Sequence, residues 1–351
     1  MGILPKTMLG VWLTGHGGFE KLEVRKDIPV PQPGPQDVLI QVSAAGVNNT
    51  DINTRLAWYS KQDGASEDAS WGGAPIQFPL IQGIDVCGRI VSVGDKVGST
   101  RIGERVLIEP CLWEVQGKTL EQPWFLGSEC NGGFAEYTVV AARHAHQIES
   151  KYSDTELASF PCSYSTAENL LTRASVSQGE QILVTGASGG VGSAVVQLAQ
   201  ARGAEVIAVT SSSKTQAMLD LGAYKAIARG GSLLHELGKN SVDGVIDLVA
   251  GDQWPELLEV LRPRGRYAVA GAVGGPLVEL DVRTLYLKDL SFFGCTVLEP
   301  EVFPNLIKRI EREQIQPLAA QVFPLAQIVD AQKAFLAKQY VGKIVLQVSE
   351  A

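Results

Sequence analysis

Between an unbroken apolar run, QILVTG (181–186), and a segment with apolar residues at helical spacing lies Gly186-Ala187-Ser188-Gly189-Gly190-Val191-Gly192. Without Cβ atoms a backbone can approach a pyrophosphate closely, and the N–H groups opening the next helix face its charge. A glycine-rich stretch alone is often only a turn. Here the apolar strand before it and the helix after it, with Val191, Val195, Leu198 and Arg202 in helical register, supply the context the motif requires. The alternation then continues. EVIAVTS (205–211), YKAIAR (224–229), GVIDLVA (244–250), RYAVAG (266–271) and SFFGCTV (291–297) are apolar, and most gaps between them hold helical stretches such as 214–221 and 254–261. Apolar strands separated by helices specify a parallel sheet covered on both faces. The expected class is α/β, with a doubly wound, six-stranded dinucleotide fold.

The end of the second strand bears on which dinucleotide. Folds that prefer NAD usually carry Asp or Glu there for the ribose 2′-hydroxyl. This chain reads Thr210-Ser211-Ser212-Ser213-Lys214, so no carboxylate stands in the way of a 2′-phosphate. Ser211, Ser212 and Lys214 can donate to one. Ser212 and Ser213 would serve equally as helix caps, and Lys214 as a solvated charge. Arg229 closes the third strand, which neighbours the second in this fold, and its guanidinium can reach the same oxygens.

The first 150 residues differ in texture. They are rich in Gly and Pro, with short alternating runs such as DVLIQVS (37–43), where Val38, Ile40 and Val42 share a face as in a half-buried strand. RIVSV (89–93) and ERVLI (104–108) read as further strands, so this part is expected to be an irregular β domain. The tail carries helical patterns over 303–314 and 328–338 and a closing strand, GKIVLQV. No run approaches a membrane span, and no basic stretch with an apolar h-region opens the chain. The five cysteines are scattered and include no C-x-x-C, which suits free thiols in a reducing, cytoplasmic compartment. A net charge of -8 argues against nucleic acid and anionic lipid as partners.

Several short motifs, in order, resemble the medium-chain dehydrogenase/reductase superfamily, and within it the zinc-free quinone oxidoreductase (ζ-crystallin-like) branch. They are HGGFEKL from His16, GVNNTD from Gly46, GIDVCG from Gly83, VGD from Val93, GERV from Gly103 and GGFAEY from Gly132. The glycine-rich loop, LRPRGRY from Leu261 and Gly342-Lys343 complete the series. The resemblance implies a GroES-like β domain over 1–157, a Rossmann NADP-binding domain over 158–298, and a return to the first domain over 299–351. It implies NADPH in the cleft between them and a homodimer through the strand from Ser291 to Val297. An apolar edge strand with Phe292, Phe293 and Val297 needs such a cover.

Zinc alcohol dehydrogenases of that superfamily use Cys, His and Cys as catalytic ligands. In register these positions hold Asn48, Ile84 and Cys162. An amide binds Zn²⁺ poorly and isoleucine not at all, so no metal is expected. The cluster of four cysteines that would hold a structural zinc is replaced by LWEVQGKTLEQPWFLGSE between Cys111 and Cys130. His144 and His146 lie outside the metal register and read as surface or packed histidines. Cys162 reads as a buried small hydrophobe, and it places Thr166, four residues on, at the family's nicotinamide-contacting threonine. By the same register Gly271, Phe293 and Lys343 go to the dinucleotide.

Asn48, Thr50 and Tyr59 are the catalytic candidates: Asn48 against nicotinamide or acceptor, Thr50 as a proton-relay hydroxyl, Tyr59 lining the acceptor cleft or merely packing. The proton can equally come from solvent. The implied activity is metal-free hydride transfer from NADPH to a quinone or an α,β-unsaturated carbonyl. A zinc alcohol dehydrogenase and a non-catalytic NADPH-binding protein are the alternatives. The segments 60–74 and 113–125 depart most from the family pattern and are expected to be loops that shape the acceptor pocket.

Overall fold

The computed structural model describes residues 4–60, 69–73 and 75–349. It divides into two compact units. One comprises Met1–Cys162, Pro317–Gln339 and Lys343–Ala351, the other Ser163–Gln316 and Tyr340–Gly342.

The first unit is the GroES-like β domain. Its central strand, Asp37–Val47, pairs antiparallel with Asp85–Val93 on one side and with both Tyr137–Ala141 and Lys343–Gln347 on the other. The closing strand of the chain therefore completes a sheet begun more than 290 residues earlier, its Ile344 lying opposite Val47. Alternation in 37–43 predicts one buried face, yet Val38, Leu39, Ile40 and Val42 are all 0% exposed. A strand with ladders on both edges and structure on both faces has no solvent side.

The segment 113–125 is not a loop, which corrects the expectation. Cys111–Val115 and Lys118–Phe125 form an antiparallel hairpin. Buried His144 anchors it: its Nε2 accepts from the Trp113 and Glu114 N–H groups at 3.1 and 3.2 Å, and its Nδ1 bonds Glu109 Oε2 at 2.9 Å. Two N–H groups on Nε2 leave Nδ1 to donate to Glu109, so this histidine is a packed strut. Of the segment 60–74, residues 61–68 and 74 lie outside the described residues.

The second unit is the Rossmann-like domain. Its six parallel strands run in spatial order Lys225–Ala228, Glu205–Thr210, Gln181–Val184, Val242–Asp247, Leu261–Val269, Ser291–Gly294. The order reverses between Gln181–Val184 and Val242–Asp247, the topological switch point beside which dinucleotides bind. Leu183, Val209, Val245, Leu257 and Tyr267 belong to one buried cluster that joins sheet and helices. The last strand ends at Gly294, three residues earlier than the apolar pattern suggests, and lies at the sheet edge. Among the described residues no helix is long and apolar enough to cross a membrane, and all five cysteines are free thiols.

Candidate functional site

The candidate residues fall into two groups, one in each unit. In the second unit, Gly186 takes φ +59° to turn the chain out of its strand. A Cβ on Gly192 would lie 2.4 Å from Gly186 O and 2.6 Å from Ala187 Cα, a clash that only glycine avoids. That closeness folds the loop back on itself, so Gly189 caps the helix Gly190–Ala201 without a side chain over its end. Ser188, Gly190 and Val191 remain half-buried around this opening, whereas Ala187 and Gly192 are buried beneath it. Bare backbone N–H groups at a helix N-terminus fit a pyrophosphate.

At the end of Glu205–Thr210 the chain enters a short 3₁₀ turn, Ser212–Lys214, with Ser211 half-buried and Ser212 exposed. Lys214 Nζ donates to Tyr340 O at 2.6 Å. Partial burial lowers its pKa, and the nearby Arg229 charge lowers it further. Arg229 itself is exposed, its N–H bonded to Thr210 O at 2.6 Å, which fixes it beside the end of the second strand. Two cations in each other's field, next to serines, fit an anion.

The remaining second-unit candidates are dispersed. Gly271 lies against Leu248, where a Cβ would meet Leu248 O at 2.7 Å. Thr166 is half-buried on the helix Pro161–Arg173 between buried neighbours, and Phe293 is half-buried on the edge strand.

In the first unit, Asn48 opens the short helix Asn49–Arg55 and is tied down by its neighbours. Its N–H donates to Asp51 Oδ2 at 2.7 Å, and its Nδ2 donates to Asp85 Oδ2 at 2.8 Å. Its Oδ1 accepts from Lys343 Nζ, which also pairs with Asp85 Oδ2 at 2.7 Å. Asp85 Oδ1 accepts the Cys162 N–H at 2.5 Å. The family register gives Lys343 to the dinucleotide, but its ammonium is committed to this cluster and is 2% exposed. Asp51 and Asp85 are functional candidates that the sequence reading passed over, although both stand inside its motifs GVNNTD and GIDVCG. Burial, helped by the Asp85 charge, pushes the Asp51 carboxyl up to about 7 against the pull of the Asn48 N–H and Lys343.

The Tyr59 hydroxyl sits beside the side chains of Thr50 and Asn53, and burial raises its pKa. Its ring lies parallel to Trp71, centroids 6.5 Å apart, and Trp71 stacks on Phe125 at 4.4 Å. Tyr59 therefore both packs and presents a hydroxyl next to Thr50. A cavity of about 610 Å³ elsewhere in this unit, lined by Trp12, Asp37, Leu112 and Tyr137 among others, includes none of these residues.

The three ligand positions of a catalytic zinc do not fit the metal. Ile84 is 1% exposed and apolar, and the Asn48 amide is already held by Asp85 and Lys343. Among the described residues no three His, Cys, Asp or Glu side chains are grouped to hold an ion.

Comparison with known proteins gives two family models. The alcohol dehydrogenase GroES-like domain matches residues 34–150, and the zinc-binding dehydrogenase family matches residues 190–312. A solved structure from Sinorhizobium meliloti, provisionally described as an alcohol dehydrogenase, is 43% identical, covers 98% of this chain and 97% of its own, and superposes with a TM-score of 0.90. Human quinone oxidoreductase is 28% identical over 97% of this chain and 98% of its own. The acryloyl-coenzyme A reductase of Metallosphaera sedula is 29% identical over 97% and 99%.

Proposed function

The chain belongs to the medium-chain dehydrogenase/reductase superfamily, in its quinone-oxidoreductase-like branch, and on that footing we propose that it is an NADPH-dependent, metal-independent reductase of quinones or α,β-unsaturated carbonyls. The observation that carries this reading is the pair Asn48 and Ile84 at two of the three zinc-ligand positions. When bound, the nicotinamide supplies the hydride, so the protein's own work is binding, orientation and exclusion of water. The Gly186–Gly192 backbone holds the pyrophosphate, and Ser211, Ser212, Lys214 and Arg229 the 2′-phosphate. Thr50 and Tyr59 offer two hydroxyls to the acceptor, and Asn48, its amide held by Asp85 and Lys343, fixes the start of the helix that carries Thr50. Nothing in that set polarises a simple ketone as a Lewis acid does, so acceptors that are already electron-poor are favoured.

The test is NADPH consumption with a panel of quinones and enones, with and without EDTA, alongside elemental analysis. Turnover unaffected by chelation, with zinc far below one ion per chain, is the expected result. Stoichiometric zinc with activity abolished by chelation would replace this reading with a zinc alcohol dehydrogenase. NADPH binding without turnover of any acceptor would make the chain a binding protein.

We also propose a homodimer through the edge strand. On Ser291–Gly294 itself Phe292 is 36% exposed, and on the helix Val282–Leu287 that precedes it in sequence Val282, Tyr286 and Leu287 are 60%, 59% and 71% exposed. Unpaired strand edges flanked by apolar surface pair with copies of themselves. Light scattering at micromolar concentration should report twice the chain mass, and Tyr286→Asp with Leu287→Asp should halve it. A monomeric wild type removes the proposal.

A further inference from the structure

Asp247 ends the strand Val242–Asp247 at the switch point, is 0% exposed, and faces no cation within salt-bridge distance among the described residues. A carboxylate in that position must be satisfied by hydrogen bonds alone. Its Oδ1 accepts from Thr185 Oγ1 at 2.5 Å, Val249 N at 2.9 Å and Ala250 N at 3.0 Å, and its Oδ2 from Tyr267 OH at 2.6 Å. The Thr185 oxygen in turn accepts the Leu248 N–H at 2.9 Å. Through these bonds Asp247 and Thr185 together gather the N–H groups of Leu248, Val249 and Ala250.

The segment so gathered is not relaxed. Ala250 sits at φ 55°, ψ -140°, a region an alanine occupies only when its surroundings impose it. The segment lies against the glycine-rich loop, since a Cβ on Gly186 would be 3.1 Å from Val249 Cγ2. Tyr267 is wedged edge-on against Trp254 at 5.9 Å and tilted on Phe292 at 5.3 Å, which aims its hydroxyl at Asp247. Burial first and the Asp247 charge second raise the pKa of that hydroxyl and keep it a donor.

We propose that Asp247 is a positioning residue for the dinucleotide: with Thr185 and Tyr267 it holds residues 248–250 in the shape that receives the cofactor at the switch point. The proposal rests on the dinucleotide reading above. It accounts for a buried, multiply bonded carboxylate that the hydride chemistry does not use.

Thr185→Val keeps the side-chain shape and deletes the hydroxyl, while Thr185→Ser keeps the hydroxyl. Calorimetric titration with NADPH should show the dissociation constant about 10-fold higher in Thr185→Val and within about twofold of wild type in Thr185→Ser. Tyr267→Phe should weaken binding in the same direction, and serves if Thr185→Val folds poorly. The discriminating readout is the rise in melting temperature on adding NADPH, which tracks affinity rather than intrinsic stability. A smaller rise in the valine variant supports the positioning role. Equal NADPH affinity in wild type, Thr185→Val and Tyr267→Phe, with only the unliganded melting temperature lowered, overturns it and leaves the dinucleotide reading intact. Wild-type protein that binds neither NADPH nor NADH overturns both.

Discussion

NADPH is expected to support turnover with roughly 100-fold higher kcat/KM than NADH. The end of the second strand offers hydroxyls and cations where a 2′-hydroxyl binder would offer an acid. Lys214 and Arg229 stand close enough for the arginine to depress the lysine's pKa, a repulsion that a phosphate between them relieves. One Lys214 donor is engaged by Tyr340 O, so the exposed Arg229 has the larger part to play with its bidentate fork. Hydrogen bonds to charged groups contribute about 1.5–3 kcal/mol each, and partial exposure places these at the low end. Two such contacts, at about 1.4 kcal/mol per decade, give the stated factor. Steady-state kinetics with both cofactors in wild type and in Arg229→Ala decide the matter. Arg229→Ala should lose most of the selectivity, and added salt should erode it in wild type by screening an exposed pair. Equal kcat/KM for the two cofactors in wild type would end the claim. Selectivity lost only in Lys214→Ala would move the anchor to the lysine.

What the chain reveals before folding, and what it hides, follows from sequence separation. The nucleotide fold is legible because each of its parts is local: an apolar strand, a glycine turn and a helix, repeated, force the sheet that the structure shows. The departure from the zinc-ligand pattern at Asn48 and Ile84 is legible for the same reason, since each position sits in its own short motif. The cluster around Asn48 is not. Lys343 lies 295 residues from Asn48 in sequence, and only the return of the closing strand to Asp37–Val47 brings them together. The hairpin at 111–125 was hidden differently. Its two-residue turn, Gln116-Gly117, has φ +52° and +72°, the type I′ geometry usually marked by Asn-Gly or Asp-Gly. A glutamine in that place masks a turn whose glycine was in plain view. Asp247 is hidden because its partners, Thr185 just past Gln181–Val184 and Tyr267 on Leu261–Val269, are brought to it only by the sheet.

Lys343→Met is expected to destabilise the folded protein by about 3–5 kcal/mol, the cost of leaving a buried charge without its partner. Asp85 is 0% exposed, Asp51 2% and Lys343 2%, so Asp85 is paired with an ammonium out of reach of water whose charge also acts on Asp51. Removing the ammonium strands Asp85, whose other contacts, the Asn48 amide and the Cys162 N–H, are neutral donors. The same arrangement sets a sign for pH. Asp51 rises from 3.8 to about 7 on folding, so its contribution to stability is full below about pH 4 and lost as pH climbs through 7. Without Lys343 to favour the charged form, that loss should deepen, and acidification should recover part of it. Denaturant titrations of wild type and Lys343→Met on both sides of neutrality measure the two effects together. Asp51→Asn should flatten the slope near neutrality, since the group that titrates is gone. Adding Asp85→Asn to Lys343→Met should restore stability relative to Lys343→Met alone, because a neutral pair no longer buries an unpaired charge. If Lys343→Met unfolds within about 1 kcal/mol of wild type with an unchanged pH slope, the ammonium is not what holds the two carboxylates in place.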